Sequence, residues 1–126
     1  MAKKILVVDD EKELVKAIQI RLERAGYEII IANDGEEGLE KAKRCKPDLI
    51  ILDVMLPKMD GYKVCRLLKF DEKYKNIPII MLTARAHESD AKISAEVGAD
   101  MYITKPFDHQ VVLSNVQRLM KNIDDK

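Results

Sequence analysis

Apolar positions along this chain fall into two alternating kinds of run. ILVV (Ile5 to Val8), EIIIA (Glu28 to Ala32), LIIL (Leu49 to Leu52), IPIIML (Ile77 to Leu82) and MYIT (Met101 to Thr104) are of strand length and mostly rich in Ile and Val. The first, third and fourth are apolar throughout, the pattern of strands covered on both faces. Between these runs, apolar residues recur at helical spacing. Leu14, Ala17, Ile18, Leu22 and Ala25 mark a first helix, with Gly26 as its stop. Asp34 with Glu37 resembles a capping box for a second helix, which runs through Leu39 and Ala42 to the break at Pro47. Val64, Leu67 and Leu68 mark a third, Ile93 and Val97 before Gly98 a fourth, and Val112, Val116, Leu119, Met120 and Ile123 a fifth.

Strand and helix thus alternate five times, with no linker or low-complexity tract, so residues 1–126 are expected to form one domain. The predicted fold class is α/β: a doubly wound (βα)5 architecture, flavodoxin-like, whose five-stranded parallel sheet has the order 2-1-3-4-5. In that order strands 1 and 3 are neighbours where the winding reverses, and ligands of such folds sit beyond the C-terminal strand ends at that point. Strand 1 ends in Asp9 and Asp10, strand 3 in Asp53, and strands 4 and 5 end on the same edge in Thr83 and Lys105. Five chemically useful side chains are therefore expected to converge on one crevice.

Composition narrows the function classes. A chain of 126 residues with 47% hydrophobic content supports one ordinary core. The 22 basic and 22 acidic residues cancel, so neither direct nucleic-acid binding nor attachment to an anionic membrane is expected. No apolar run approaches the roughly 20 residues of a membrane span, and the MAKKILVV start lacks the features of a signal peptide. A cytoplasmic location is expected. Cys45 and Cys65 stand at no metal-type spacing and read as ordinary helix thiols; His87 and His109 read as exposed polar residues.

The convergence carries a specific chemistry. Burying an ionised Asp53 without a partner costs several kcal/mol or forces it to take up a proton. Three clustered carboxylates call for a hard divalent cation with oxygen ligands, and Mg²⁺ fits best. Phosphoryl transfer needs a nucleophile, a metal, a fixed cation and a hydroxyl or amide donor, which Asp53, the metal, Lys105 and Thr83 supply. Each residue has an ordinary role when taken singly. Asp10 could cap the first helix with Glu13 closing a capping box, Asp53 could start a loop, Lys105 could be a solvated cation, Thr83 a backbone-bonded hydroxyl and Tyr102 an edge-strand aromatic. Those roles leave the meeting of the five at one point unexplained. A haloacid-dehalogenase-like phosphatase would need a second Asp two residues after Asp53, where Met55 stands. A flavodoxin-like nucleotide binder would want a Ser/Thr/Gly-rich loop after strand 1, where the chain has the acidic DDEKE.

VVDD (Val7 to Asp10), LDVMLPKMDG (Leu52 to Gly61), LTA (Leu82 to Ala84) and KPF (Lys105 to Phe107) resemble, in order and context, the receiver domain of two-component response regulators, the chemotaxis regulator among them. The resemblance covers Lys4 to about Met120. It implies that Asp53 accepts a phosphoryl group from a sensor histidine kinase or phosphotransfer protein. It also implies that Asp10, Asp53 and the backbone carbonyl of Met55 bind Mg²⁺, with Asp9 assisting. Lys105 would contact the phosphoryl oxygens, with the Lys105–Pro106 peptide often cis in such domains; Thr83 and Tyr102 would be the switch residues. Met55 and Arg85 occupy positions that tune aspartyl-phosphate hydrolysis, and Met55 offers no group to orient water, so slow self-dephosphorylation is expected. Such a domain promotes its own phosphoryl transfer without being a conventional enzyme. A degenerate receiver acting only as a docking adaptor is the alternative, against which stands the retention of all five site residues.

Output in the resembled family runs through helix 4, strand 5 and helix 5. Receivers attached to winged-helix DNA-binding domains usually carry salt-bridging charges there; Ala91, Met101, Val111, Asn115 and Gln117 are uncharged, which argues against that dimer arrangement, while another phosphorylation-dependent homodimer is left open. Val111, Val112 and Leu113 make the start of the fifth helix apolar over more than one buried stripe, and suggest a protein-binding face. The chain ends about where that helix ends, so output is expected through a downstream protein target or an effector domain absent from this chain.

Overall fold

The short apolar runs become the strands of one parallel sheet. The computed structural model describes residues 2–84 and 98–124. Its strands are β1 (Lys4–Val8), β2 (Glu28–Ala32), β3 (Leu49–Asp53), β4 (Ile79–Thr83) and β5 (Met101–Thr104), and its helices are α1 (Lys12–Arg24), α2 (Gly35–Cys45), α3 (Gly61–Lys69) and α4 (His109–Asp124). The helix predicted fifth from the sequence is thus α4. The helix expected around Ile93 and Val97, together with Arg85, His87 and Ala91, lies outside the described residues.

All four pairings are parallel and the order is β2-β1-β3-β4-β5, the doubly wound arrangement expected. β3 and β4 are buried along their whole length, which is why their sequences are continuous apolar runs rather than alternating ones. β4 starts at Ile79 rather than Ile77. Pro78 has no N–H for the ladder, although its carbonyl still accepts from the Ile50 N–H at 3.0 Å.

The core has two halves, one on each face of the sheet. Ile5, Val7, Ile51, Ile80 and Leu82 face α1 and α4, which contribute Val15, Ile18, Leu22, Val112, Val116 and Met120. Leu6, Val8, Ile50, Leu52 and Met81 face α2 and α3, which contribute Ala42, Val64, Cys65 and Leu68. Each fully buried large side chain adds about 1.5–3 kcal/mol. Two positions expected to face inward do not. Ala25 is exposed beyond the last turn of α1, and Leu67 is 42% exposed because Cys65 takes its place in the buried stripe of α3.

Caps fix where the helices begin. Asp34 accepts from the Glu37 N–H at 2.8 Å, and the Glu37 carboxylate reaches back to the Asn33 N–H at 2.6 Å. Asp60 caps α3 by accepting from the Lys63 N–H at 3.0 Å. The Asp10–Glu13 box does not form on α1. Glu11 is the N-cap and makes no side-chain cap bond, because Asp10 precedes that position and is too far back to reach the first free amides. Asp9 instead turns inward and accepts from the Glu11 N–H at 3.0 Å.

Two lysines fasten the sheet. Lys69, at the end of α3, lies 2.6 Å from Asp100 and donates to the Ile77 carbonyl at 2.7 Å, while Asp100 accepts from the Ile79 N–H at 2.7 Å. This joint ties α3 to the starting ends of β4 and β5. On the outer edge, Lys41 donates to the Ile31 carbonyl at 2.6 Å. Among the described residues no helix is long and apolar enough to cross a membrane.

Candidate functional site

The parallel register does the first part of the assembly. Val8 of β1 is paired with Leu52 of β3, so the next residues, Asp9 and Asp53, emerge side by side at the C-terminal edge. Asp9 is 1% and Asp53 4% exposed, whereas Asp10 is exposed. Carboxylate oxygens of the three lie within 4.8 Å of one another. Thr83 ends β4 on the same edge, buried, with Asp53 paired to Leu82 in the adjacent register.

The loop after β3 is held by its glycine and by backbone bonds. The Val54 N–H donates to the Leu82 carbonyl at 3.0 Å, and the Gly61 N–H donates to the Val54 carbonyl at 2.9 Å. A Cβ on Gly61 would overlap the Asp53 backbone carbonyl, so the helix can start this close to the site only with glycine there. Between them Pro57 precedes Lys58, whose φ of 67° turns the chain. The Met55 side chain is 72% exposed, while its backbone N–H donates to the Asp53 carboxylate.

Lys105 arrives from β5. Its N–H donates to the Thr83 carbonyl at 2.6 Å, and its peptide bond to Pro106 is cis. Its Nζ lies 3.3 Å from Asp9 Oδ2, 3.4 Å from Asp53 Oδ1 and 3.3 Å from Glu11 Oε1. Tyr102 is half-buried on β5 and packs against the core half shared with α2 and α3.

Three carboxylates around one ammonium, with Asp10 beside two of them, leave the site negative, and burial acts on its proton affinities. Burial, reinforced by the neighbouring Asp9, pushes Asp53 up to about 6 against the opposing pull of Lys105 and the Met55 N–H. Burial likewise raises Asp9. For Lys105, burial acts to lower the pKa, but the Asp9 and Asp53 carboxylates outweigh it and hold the ammonium above its usual range. An all-oxygen donor set that holds a proton this tightly has both the charge and the chemistry for a hard divalent cation, so the residues present fit Mg²⁺.

Asp9, Asp10, Asp53, Thr83 and Lys105 therefore lie together as expected, while Arg85 is outside the described residues. Two neighbours are not evident from the sequence. Glu11 is the third acid of DDEK, the only available signal of its contact with Lys105. His109 is not exposed. It is half-buried because Phe107 meets it edge-on, with ring centroids 6.1 Å apart, and both line a cavity of about 440 Å³ with Glu11, Leu14 and Lys105.

The chain is similar to known proteins in sequence and in fold. The family model of the response regulator receiver domain matches residues 5–117. The transcriptional regulatory protein PhoP for alkaline phosphatase synthesis, from Bacillus subtilis, is 51% identical over 96% of this chain and 50% of its own length. The chain spans about half the length of the curated relatives it matches. Among solved structures, the chemotaxis response regulator CheY4 of Vibrio cholerae superposes with a TM-score of 0.88 at 34% identity, covering 94% of this chain and 99% of that one. The signal receiver domain of a signal transduction histidine kinase from Syntrophus aciditrophicus gives a TM-score of 0.92 at 38% identity, covering 99% and 95%. With a fold, a sheet order and an acidic strand-end cluster that agree with this match over nearly its full length, the chain belongs to the response regulator receiver domains of two-component systems.

Proposed function

We propose that this chain is a phosphorylation switch in which Asp53 accepts a phosphoryl group from the phosphohistidine of a sensor kinase or phosphotransfer protein. The observation that carries the reading is a buried Asp53 carboxylate with Lys105 Nζ at 3.4 Å and two further carboxylates within reach of a shared cation. One Asp53 oxygen attacks phosphorus, the P–N bond breaks, and its electron pair returns to the imidazole, which takes up a proton from solvent. The product is an acyl phosphate on Asp53.

The chain's own residues position and neutralise. Lys105 offers its ammonium to the equatorial oxygens, and Thr83 offers a hydroxyl at the adjacent strand end. Asp9, Asp10, Asp53 and the Met55 carbonyl would hold Mg²⁺, which when bound neutralises charge on the transferring group. Asp53 must be ionised to attack, so any cation beside it also favours the reactive form. Met55 carries no polar group to orient a hydrolytic water; with Arg85 at the second tuning position, the acyl phosphate is long-lived.

Readout runs through β5, α4 and the segment around Ala91, with Thr83 and Tyr102 as the moving parts. Val111, 42% exposed at the start of α4, belongs to the partner-binding face. Residues 1–126 act as one receiver unit in the cytoplasm. The relatives' extra length and their names as transcriptional regulators support an effector domain, joined or separate, as the recipient of the signal.

The test is intact-protein mass after incubation with acetyl phosphate, with and without Mg²⁺. A phosphoryl mass that requires Mg²⁺ and disappears in Asp53→Asn is expected. No gain, or a gain that survives Asp53→Asn, would overturn the reading in favour of a phosphorylation-independent docking adaptor.

A further inference from the structure

Glu11 occupies an odd place. It is the N-cap of α1, a position where Ser, Thr, Asp or Asn normally bonds a free amide. Its side chain makes no cap bond. Its carboxylate instead reaches across to a residue 94 positions away, 3.3 Å from Lys105 Nζ. Its backbone N–H meanwhile donates to Asp9 Oδ1, so one residue touches the acidic cluster with its main chain and the cation with its side chain.

Lys105 is consequently shared. One ammonium serves Asp9, Asp53 and Glu11 at nearly equal distances, two of them inside the crevice and one at its mouth. The Lys105 side chain is 17% exposed and that of Glu11 62%. A contact that open to water is weak and readily exchanged. It is nonetheless aimed at the group that neutralises the transferred phosphoryl, and it draws the ammonium toward the mouth while Asp9 and Asp53 draw it inward.

We infer that Glu11 is a positioning residue for the phosphoryl step: it holds Lys105 toward the mouth of the resting site and is displaced when phosphoryl oxygens arrive on Asp53. This rests on the reading of Asp53 as the phosphoryl acceptor. Glu11 touches neither acceptor nor donor and acts only through Lys105. Removing it leaves only the inward pulls of Asp9 and Asp53 on Lys105, so transfer from a small donor speeds up by the worth of one exposed ion pair, about two- to fivefold.

A double-mutant cycle tests it, with the rate of phosphoryl mass gain from acetyl phosphate in Mg²⁺ as readout. Glu11→Gln is expected to be about two- to fivefold faster than the unsubstituted chain. Glu11→Asp keeps the charge but is one methylene too short for Lys105, and is expected to match Glu11→Gln. In a Lys105→Met background, followed over a longer time course, Glu11→Gln is expected to change nothing. An unchanged rate in Glu11→Gln, a Glu11→Asp that behaves like the unsubstituted chain, or an equal acceleration in the Lys105→Met background would overturn the inference, the last two by showing that Glu11 acts through its field. Failure of the unsubstituted chain to gain mass at Asp53 would instead overturn the underlying reading, so the two failures are distinct.

Discussion

The backbone carbonyl of Asp53 fills the space that a Cβ on Gly61 would need, so α3 is seated directly on the peptide that presents the buried carboxylate. Gly61→Ala cannot be absorbed by a side-chain shift, because the obstructing atoms are main chain. It is expected to cost about 2 kcal/mol or more in denaturant unfolding and to slow phosphorylation of the folded fraction. A stability within 0.5 kcal/mol of the starting protein, taken as roughly the scatter of surface substitutions, would show that the loop relaxes without strain.

Stability without metal should fall as pH rises through the acid range. Folded Asp53 titrates at about 6 and the unfolded chain near the ordinary 3.8, so the folded form binds its proton more tightly. Below about pH 4 both states are protonated and burial carries no charge penalty; above about 6 the folded state must hold a buried carboxylate, a loss on the order of 1–3 kcal/mol. Asp53→Asn removes this loss. In chelator, it should therefore be more stable than the parent at pH 7 and indistinguishable at pH 4, as read from urea midpoints.

Met55 sets a second expectation. Met55→Asn or Met55→Glu puts an oxygen beside Asp53 that can orient water, and both should shorten the acyl-phosphate half-life relative to Met55. Radiolabel loss from phosphorylated protein, freed of donor, measures it. Equal or longer half-lives in the variants would remove Met55 from control of the rate.

Lys69 lies far from the site, yet its loss should be felt in folding. Its side chain is 9% exposed and serves the Asp100 carboxylate and the Ile77 carbonyl together. Lys69→Met keeps the stem and removes the ammonium, leaving Asp100 only partly compensated. Because Asp100 is about one-third exposed, the expected loss is about 1–3 kcal/mol rather than the full value of a buried pair. Unchanged thermal unfolding would mean that water replaces the ammonium without loss.

The sequence made the strand-end residues legible for a physical reason. LIIL is fully buried, so the position where the apolar run meets a carboxylate is also where the strand reaches the sheet edge. Once the order places strands 1 and 3 together, Asp9, Asp10 and Asp53 cannot avoid one another. Contacts set by side-chain conformation were not legible. Nothing local distinguishes Glu11 bonded to Lys105 from Glu11 in solvent, and nothing in KPFDHQ shows that Phe107 covers His109. In α3 the helical period admits either Leu67 or Cys65 inside. Leaving Cys65 out of the apolar pattern, although its thiol packs as a small apolar group, hides the correct stripe.

The Lys41 contact on β2 bears on how such a domain lives among its own kind. EIIIA is a sticky sequence at a sheet margin, the sort that recruits a stranger's strand. By occupying the Ile31 carbonyl with a tethered cation, the molecule removes one of the acceptors that such a strand would need. A strand edge with one of its outward carbonyls already taken is a poorer template for a second copy of the chain.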